Sequence, residues 1–166
     1  NVEIIPLTMN FPGWWSKIEM FRYSGACIYF DLDTAIAADI SSLLDGVLTL
    51  KENEFLMLRP FAENEIWASG VMAWNGDWLC LLNDFTPEQD IPEYDWDQRY
   101  IRHILELSGA NIHAIQDFID GVMSYKKHIY RTFGKLKECK ILCFHGKPRP
   151  HELTWLKAIR VIWEGK

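Results

Sequence analysis

Residues 26–33 read Ala-Cys-Ile-Tyr-Phe-Asp-Leu-Asp, an apolar run that stops at two acidic side chains. A short continuous apolar run of this kind predicts a strand that is buried on both faces. In an extended segment, side chains two positions apart point the same way. The carboxylates of Asp31 and Asp33 are therefore expected to face one point at the edge of the core.

Further along the chain, apolar runs predict more strands, at residues 55–58, 69–74 and 141–144. Helical spacing predicts helices at residues 14–23, 40–44, 78–85, 97–108 and 152–163. We interpret the acidic, proline-containing residues 86–95 as a loop and Asn75-Gly76 as a turn, and residues 112–119 fit either a strand or a turn. Alternation of strands with helices predicts one α/β domain over residues 1–166.

The chain's charge and cysteine content narrow the classes of function. A formal net charge of -6 argues against a broad surface for nucleic acid. The locally basic residues 126–149 are either a solvated helix face with its following loop or a surface that meets a phosphorylated ligand. Four cysteines without a Cys-x-x-Cys pair predict free thiols, a reducing compartment and hence a cytoplasmic location. No run approaches the ~18 apolar residues that predict a membrane span.

The chemistry of the acid pair admits two interpretations. Like charges held side by side raise each other's pKa, and a bound cation removes that conflict. Mg²⁺ and Mn²⁺ prefer oxygen ligands and often combine one or two carboxylates with phosphate oxygens. The alternative is two solvated acids in a strand-ending turn, where Asp is common. The apolar run before Asp31 favours a metal site, because it places the pair at the edge of a core.

A second cluster begins at His145, directly after the predicted strand 141–144. Imidazole is a good partner for Mn²⁺. Gly146 lets the backbone approach a ligand closely, and Lys147 can meet phosphate as a point charge. A lone histidine is more often structural. Because ligand sites in α/β folds gather beyond the carboxyl ends of strands, we expect this cluster near the acid pair.

Two further candidates have simple structural alternatives. Asp97 and Gln98 follow a predicted loop at a helix start, where an N-cap explains an aspartate equally well. Lys17 lies in the predicted helix 14–23, where a solvated helical lysine is the ordinary interpretation.

The ordered set of segments resembles family 8-like retaining glycosyltransferases of the GT-A fold, over roughly residues 11–150. The matching segments are WWSKIEMFR, IYFDLDTAIAADISSLL, SGVMAWN, DQRYI and FHGKPRP. The resemblance implies a mixed sheet flanked by helices. It also implies transfer of a sugar from a UDP-sugar, with retention, to a glycan, protein or lipid acceptor.

The same resemblance implies roles around the diphosphate of the donor. Asp31, Asp33 and His145 would ligate Mn²⁺ or Mg²⁺. Lys147, beside Gly146, would neutralise the diphosphate and help the nucleotide leave. The metal would act as a Lewis acid on the leaving group.

Around the donor sugar, the resemblance implies that Lys17 lies near the nucleotide or the sugar. Asp97 and Gln98 would line the reacting sugar carbon from the other side. The chain departs from the family at Ala68, where members carry Asn, and at Arg99, where members carry a second acid. The family's nucleotide-binding strand–helix units, which contact uracil and ribose, are expected to precede the first residue of this chain.

Two other functions stay open. FDLDTA also resembles the first motif of haloacid-dehalogenase phosphatases, in which Asp31 would be the nucleophile and Asp33 the acid or base. Ala35 departs from that motif, and Gly76-Asp77 is a poor substitute for its later acidic pair. The other open interpretation is a catalytically incomplete, transferase-like binding module.

Overall fold

The computed structural model describes residues 3–61, 66–130 and 133–153, and in these ranges the chain folds as mixed sheets flanked by helices. The α/β class predicted from the sequence is confirmed. The strands are β1 (Gly25–Phe30), β2 (Thr34–Ile36), β3 (Glu54–Leu58), β4 (Ala68–Gly76), β5 (Asn111–Ala114), β6 (Val122–Ser124) and β7 (Ile141–Cys143). The α-helices are α1 (Ser41–Leu48), α2 (Cys80–Asn83), α3 (Pro87–Tyr94) and α4 (Asp97–Leu107). Shorter helical segments are the 3₁₀ helices Gly13–Arg22, Ile115–Asp117, Phe133–Glu138 and Pro150–Leu153 and the π-helical turn Tyr125–Ile129.

The strands form two sheets, and the chain passes from the first to the second between β1 and β2. The first has the order β1-β4-β3-β5, with β4 antiparallel to both neighbours and β5 parallel to β3. The second has the order β2-β7-β6, with β7 antiparallel to β2 and parallel to β6. Because β1 belongs to one sheet and β2 to the other, the acid pair between them lies where the chain crosses from sheet to sheet.

The core lies on both faces of the central strands β3 and β4. Alternate residues of β3 enter opposite clusters: Phe55 packs with the 3₁₀ helix Gly13–Arg22, α2 and α4, whereas Leu56 packs with α1 and the second sheet. Phe55 stacks on Trp74 of β4 with ring centroids 5.7 Å apart. Burial of each such side chain contributes about 1.5–3 kcal/mol, which explains why continuous apolar runs became central strands.

Most of the predicted elements are confirmed, with shifted ends. Helix α4 ends before Gly109, whose φ of 71° is the left-handed conformation of a helix C-terminus. The predicted helix 78–85 shortens to α2, and residues 112–119 contain part of β5 and a 3₁₀ turn. The predicted helix 152–163 lies almost wholly outside the described residues.

The predicted loop 86–95 is wrong, because residues 87–94 form helix α3. Pro87 occupies the start of the helix, where its missing N–H costs nothing and its fixed φ suits the helical conformation. Glu88 and Asp90 lie in the first turn, where the helix dipole favours negative charge. The Thr86 amide also donates to the Asp90 carboxylate over 2.6 Å.

The predicted turn at Asn75-Gly76 is also wrong. Both residues belong to β4, where they pair with Ala26 and Gly25 of β1. Long central strands override a local turn signal when a neighbouring strand satisfies the backbone. The chain leaves the sheet one residue later, and Asp77 accepts a hydrogen bond from the Leu79 amide there.

The four cysteines are free thiols, as predicted. Burial raises the pKa of the Cys143 thiol to about 12. Among the described residues, no helix is long and apolar enough to cross a membrane.

Candidate functional site

The acid pair lies in a tight turn and not in the extended segment that the sequence predicted. The Asp31 amide donates to the Gly70 carbonyl over 2.8 Å, and the Thr34 amide closes the turn on the Asp31 carbonyl over 2.9 Å. The chain must turn here because it changes sheets. Asp31 and Asp33 nevertheless line the same cavity of about 840 Å³, while Leu32 at the tip of the turn is exposed.

His145 reaches this cavity through the second sheet. Thr34 of β2 pairs with Cys143 of β7, and the Phe144 amide donates to the Asp33 carbonyl over 3.0 Å. The residue after Phe144 is therefore held beside the turn that carries the acids. His145 and Gly146 both line the cavity. The structure therefore brings His145 to the same cavity as Asp31 and Asp33, as the sequence predicted.

A buried charge network forms the floor of the site. Lys17 is only 8% exposed, and its Nζ lies 2.8 Å from Asp31 Oδ1, 3.0 Å from Asp97 Oδ2 and 3.2 Å from Ser69 Oγ. Ser69 Oγ donates to Asp97 Oδ2 over 2.6 Å, and Tyr29 donates to Asp31 Oδ1 over 2.7 Å. The interpretation of Lys17 as a solvated helical lysine is therefore wrong, because one ammonium holds two carboxylates.

The surroundings of the turn disfavour negative charge on Asp33. Burial raises the pKa of the Asp33 carboxyl, the charge of Asp31 raises it further, and Arg149 and His145 oppose both effects. Arg149 forms an ion pair with Asp33 Oδ2. Burial and the adjacent Asp31 also raise the pKa of the Tyr29 hydroxyl, so Tyr29 stays a protonated donor. The acid pair is thus arranged to gain from additional positive charge.

Basic side chains form another wall of the same cavity. Lys126, Lys127 and Arg149 line it, whereas Lys147, which is among the described residues, does not. The π-helical turn Tyr125–Ile129 positions the two lysines, and its N-terminal Ser124 accepts from the Lys127 amide over 3.4 Å. The sequence allows the basic stretch to be interpreted either as a solvated helix face or as a surface that meets a phosphorylated ligand. The position of these three cations on the cavity fits the second interpretation.

Gly146 approaches this wall closely. Its φ of 68° is left-handed, and a Cβ added there would lie 3.7 Å from Lys126 Nζ. The predicted role of Gly146, a close approach of backbone to the site, agrees with this position. The phosphate role of Lys147 stays a prediction, and Lys126 and Lys127, which line the cavity, are alternatives that the sequence did not single out.

A further part of the cavity wall is formed by the first residues of α4. Asp97, Gln98 and Arg99 all line the cavity, and Asp97 is only 5% exposed because it bonds to Lys17 and Ser69. Asp97 is the first helical residue and forms no side-chain cap, so the N-cap interpretation does not explain it. Sequence reasoning missed Ser69 because its partners Lys17 and Asp97 lie 52 and 28 residues away in the chain. It missed Tyr29 because that residue belongs to the apolar run before Asp31 and is indistinguishable there from a core residue. Ala68 lines the same cavity.

The fit of a divalent cation follows from the donors present. Two carboxylates and an imidazole line one cavity, and this is a donor set that Mn²⁺ accepts. In the described part of the chain, no three His, Cys, Asp or Glu side chains are already grouped for a metal. Lys17 and Arg149 neutralise the two acids instead. The donors fit by chemistry, and a metal would compete with Arg149 for Asp33.

Comparison of the sequence with models of known protein families and with curated proteins gave no match.

Proposed function

We propose that this chain is a metal-dependent glycosyltransferase of GT-A-like fold that moves a sugar from a UDP-sugar to an acceptor with retention. The observation that carries the proposal is the convergence of Asp31, Asp33 and His145 on the cavity that Lys126 and Lys127 also line. Retention and the identity of the nucleotide come from the sequence resemblance.

The arrangement of charge supports a diphosphate ligand. Carboxylates and ammonium groups that line one cavity suit a metal–diphosphate pair, in which the cation would meet the acids and the phosphate oxygens would meet the lysines. A concave wall strengthens both attractions relative to open water.

Asp31, Asp33 and His145 would hold the metal ion. When bound, the ion supplies Lewis-acid stabilisation of the negative charge that develops on the leaving diphosphate. Tyr29 and Lys17 both bind Asp31 Oδ1, which fixes the orientation of that carboxylate before any ligand arrives. Such support by neighbouring hydrogen bonds raises the precision of a ligand set.

The chain's other residues would act on phosphate and sugar. Lys126, Lys127 and Arg149 would neutralise phosphate oxygens while the bond between the anomeric carbon and the diphosphate breaks. The acceptor hydroxyl forms the new bond to that carbon and releases its proton, so the products are a glycoside and UDP. Gln98 is the polar side chain that we place beside the reacting sugar carbon, and Asp97 would position Lys17 behind it.

The phosphatase alternative has less support. Its best later acid, Asp77, follows Gly76, which pairs with the first residue of β1. Asp31 follows the last residue of that strand. Since the strand rises ~3.3 Å per residue, the two acids lie at opposite ends of the sheet. A binding module without transfer would keep the same ligands and differ only in activity.

Thermal unfolding with Mn²⁺ and UDP tests the proposal. The parent protein is expected to melt at a higher temperature with both ligands than with either one. Asp33→Asn is expected to abolish this gain, because it removes a charged ligand worth about 3 kcal/mol of metal binding. Asp45→Asn, on the exposed face of α1, is the matched control and should leave the gain intact.

Activity assays then separate the three functions. Mn²⁺-dependent hydrolysis of UDP-sugars supports the transferase. Hydrolysis of phosphate monoesters with Mg²⁺, lost in Asp31→Asn, would instead identify the phosphatase. Binding of UDP without either activity would identify the module. An Asp33→Asn variant that keeps the full melting gain would overturn the metal site.

A further inference from the structure

Two exposed tryptophans stand at the mouth of the cavity. Trp14, near the start of the 3₁₀ helix Gly13–Arg22, is 54% exposed, and Trp96, directly before α4, is 52% exposed. Their ring centroids are 5.9 Å apart and their planes are 14° from parallel. Both line the cavity. Exposed aromatic surface at the entrance of a polar cavity is typical of a ligand contact.

Core packing does not account for this pair. The adjacent Trp15 is buried and stacks on Phe85 with centroids 5.3 Å apart, so it already anchors the helix to the core. Trp14 and Trp96 instead keep about half of their surface in water. An indole left in water forfeits much of the free energy that its burial would contribute. The two rings stack on one another, and about half of the surface of each stays open for a ligand.

The shape and chemistry around the pair favour a sugar ring. A pyranose presents C–H groups on its faces, which suit a flat indole, and hydroxyls on its rim, which need hydrogen-bond partners. Gln98 and Arg99 follow Trp96 directly and line the same wall. Phosphate would be drawn to Lys126 and Lys127 instead. A folded protein partner needs ~800 Å² of contact on each side, far more than two indoles offer.

We propose that Trp14 and Trp96 form a stacking platform for a sugar ring of the acceptor, so that the acceptor is a glycan and not a protein or lipid. This inference rests on the proposed function, because an acceptor exists only if the chain transfers sugar. In that reaction a hydroxyl of the stacked glycan forms the bond to the anomeric carbon. The bond from that carbon to UDP breaks, and the hydroxyl proton is released.

Glycan binding by platform variants is the test. The full chain is screened on a printed glycan array, and the best-binding glycan is then titrated in solution and followed by saturation-transfer NMR. Trp14→Ala and Trp96→Ala are each expected to weaken binding about tenfold, the upper range for an aromatic contact. Trp96→Phe keeps a flat face and should restore part of the affinity. Tyr130→Ala, an exposed aromatic that does not line the cavity, should change nothing.

Controls separate this inference from the proposed function. Urea unfolding of each variant verifies that its fold is intact, and the melting gain with Mn²⁺ and UDP should be unchanged in both alanine variants. A parent that binds no glycan on the array overturns the platform. Loss of UDP or uridine binding in the tryptophan variants also overturns it, because the pair would then hold the base. Platform-dependent glycan binding in a parent that binds no UDP would overturn the proposed function and leave a saccharide site.

Discussion

Lys17 and Glu19 lie two residues apart on one 3₁₀ helix, and both are buried, yet their surroundings differ. Glu19, 1% exposed, accepts from the Thr8 amide and hydroxyl, the Met9 amide and Arg22. All these partners are within 11 residues of it in the chain. Lys17 bonds to side chains from three separate segments and borders the cavity.

The comparison separates a charge that supports the fold from one that also prepares a site. The hydrogen bond from the Met9 amide, with those from Thr8 and the charge of Arg22, holds the pKa of Glu19 below its usual value despite burial. Its interactions tie residues 8–9 to the helix and involve no cavity. Lys17 shares its charge between two acids that face a ligand space, so its loss should affect both stability and binding.

The largest effect is expected from Lys17→Met. The change leaves Asp31 and Asp97 without their common cation, and breaking a buried ion pair in this way costs about 3–5 kcal/mol of unfolding free energy. Urea denaturation measures the loss, and Mn²⁺–UDP binding should weaken as well. Adding Asp97→Asn to Lys17→Met should recover part of the stability. Equal stability of parent and Lys17→Met would show that the network contributes nothing.

A smaller and purely structural effect is expected from Glu19→Gln. A lowered folded-state pKa means that the carboxylate stabilises the fold fully above its unfolded pKa and loses this contribution as pH falls through the folded pKa. The variant should therefore be less stable than the parent at neutral pH, and the difference should shrink in acid below about pH 4.5. Urea unfolding across pH measures this. Weakened UDP binding in a folded variant would contradict the separation drawn above.

A gain in metal affinity is expected from Arg149→Ala. The guanidinium pairs with Asp33 from a half-exposed position, and such a pair is worth ~0.5–1 kcal/mol. Removing it should tighten Mn²⁺ binding in the absence of UDP about two- to fivefold. Calorimetric titration measures the change. The control is Arg102→Ala, which removes an exposed arginine that pairs with Glu106 within α4. Weaker Mn²⁺ binding would indicate that Arg149 supports the site and does not compete for it.

The smallest effect is expected from Asp33→Asn without metal. Because the pKa of Asp33 is raised in the folded state, the native protein binds this proton more tightly than the unfolded chain. The parent should therefore lose stability as pH rises from the usual Asp value, about 3.8, through the raised value. The Asn variant lacks this loss and should be slightly more stable at neutral pH. Equal pH profiles would place Asp33 in an ordinary solvated environment.

Local patterns predicted much of the fold. Continuous apolar runs identified β1, β3, β4 and β7, and burial on both faces demands such runs in the central strands β3 and β4. The expectation of burial on both faces was wrong for β1, which is a half-buried strand at the edge of its sheet. Strands β2 and β6 were missed, since neither shows the continuous run of large apolar residues that identified the equally short β7. Helix α3 was missed because proline and acidic residues indicate a loop as readily as a helix start. The missed strands are short, whereas the wrongly predicted turn at Asn75-Gly76 lies in the nine-residue strand β4, where pairing with β1 overrides the local signal.

The site, like the fold, was predicted only in part from local sequence patterns. The sequence alone singled out Asp31, Asp33 and His145 as candidates, because acids and imidazole at strand ends are visible in the chain, and the resemblance added Lys17, Asp97 and Gln98. The folded protein was needed for the rest: Arg149 reaches Asp33 across 116 residues and Lys17 reaches Ser69 across 52. No local pattern encodes such pairs, since long-range packing decides which charges are buried together. The sequence by itself thus shows the acids and the histidine at strand ends, whereas the tertiary structure decides which cations pair with the acids.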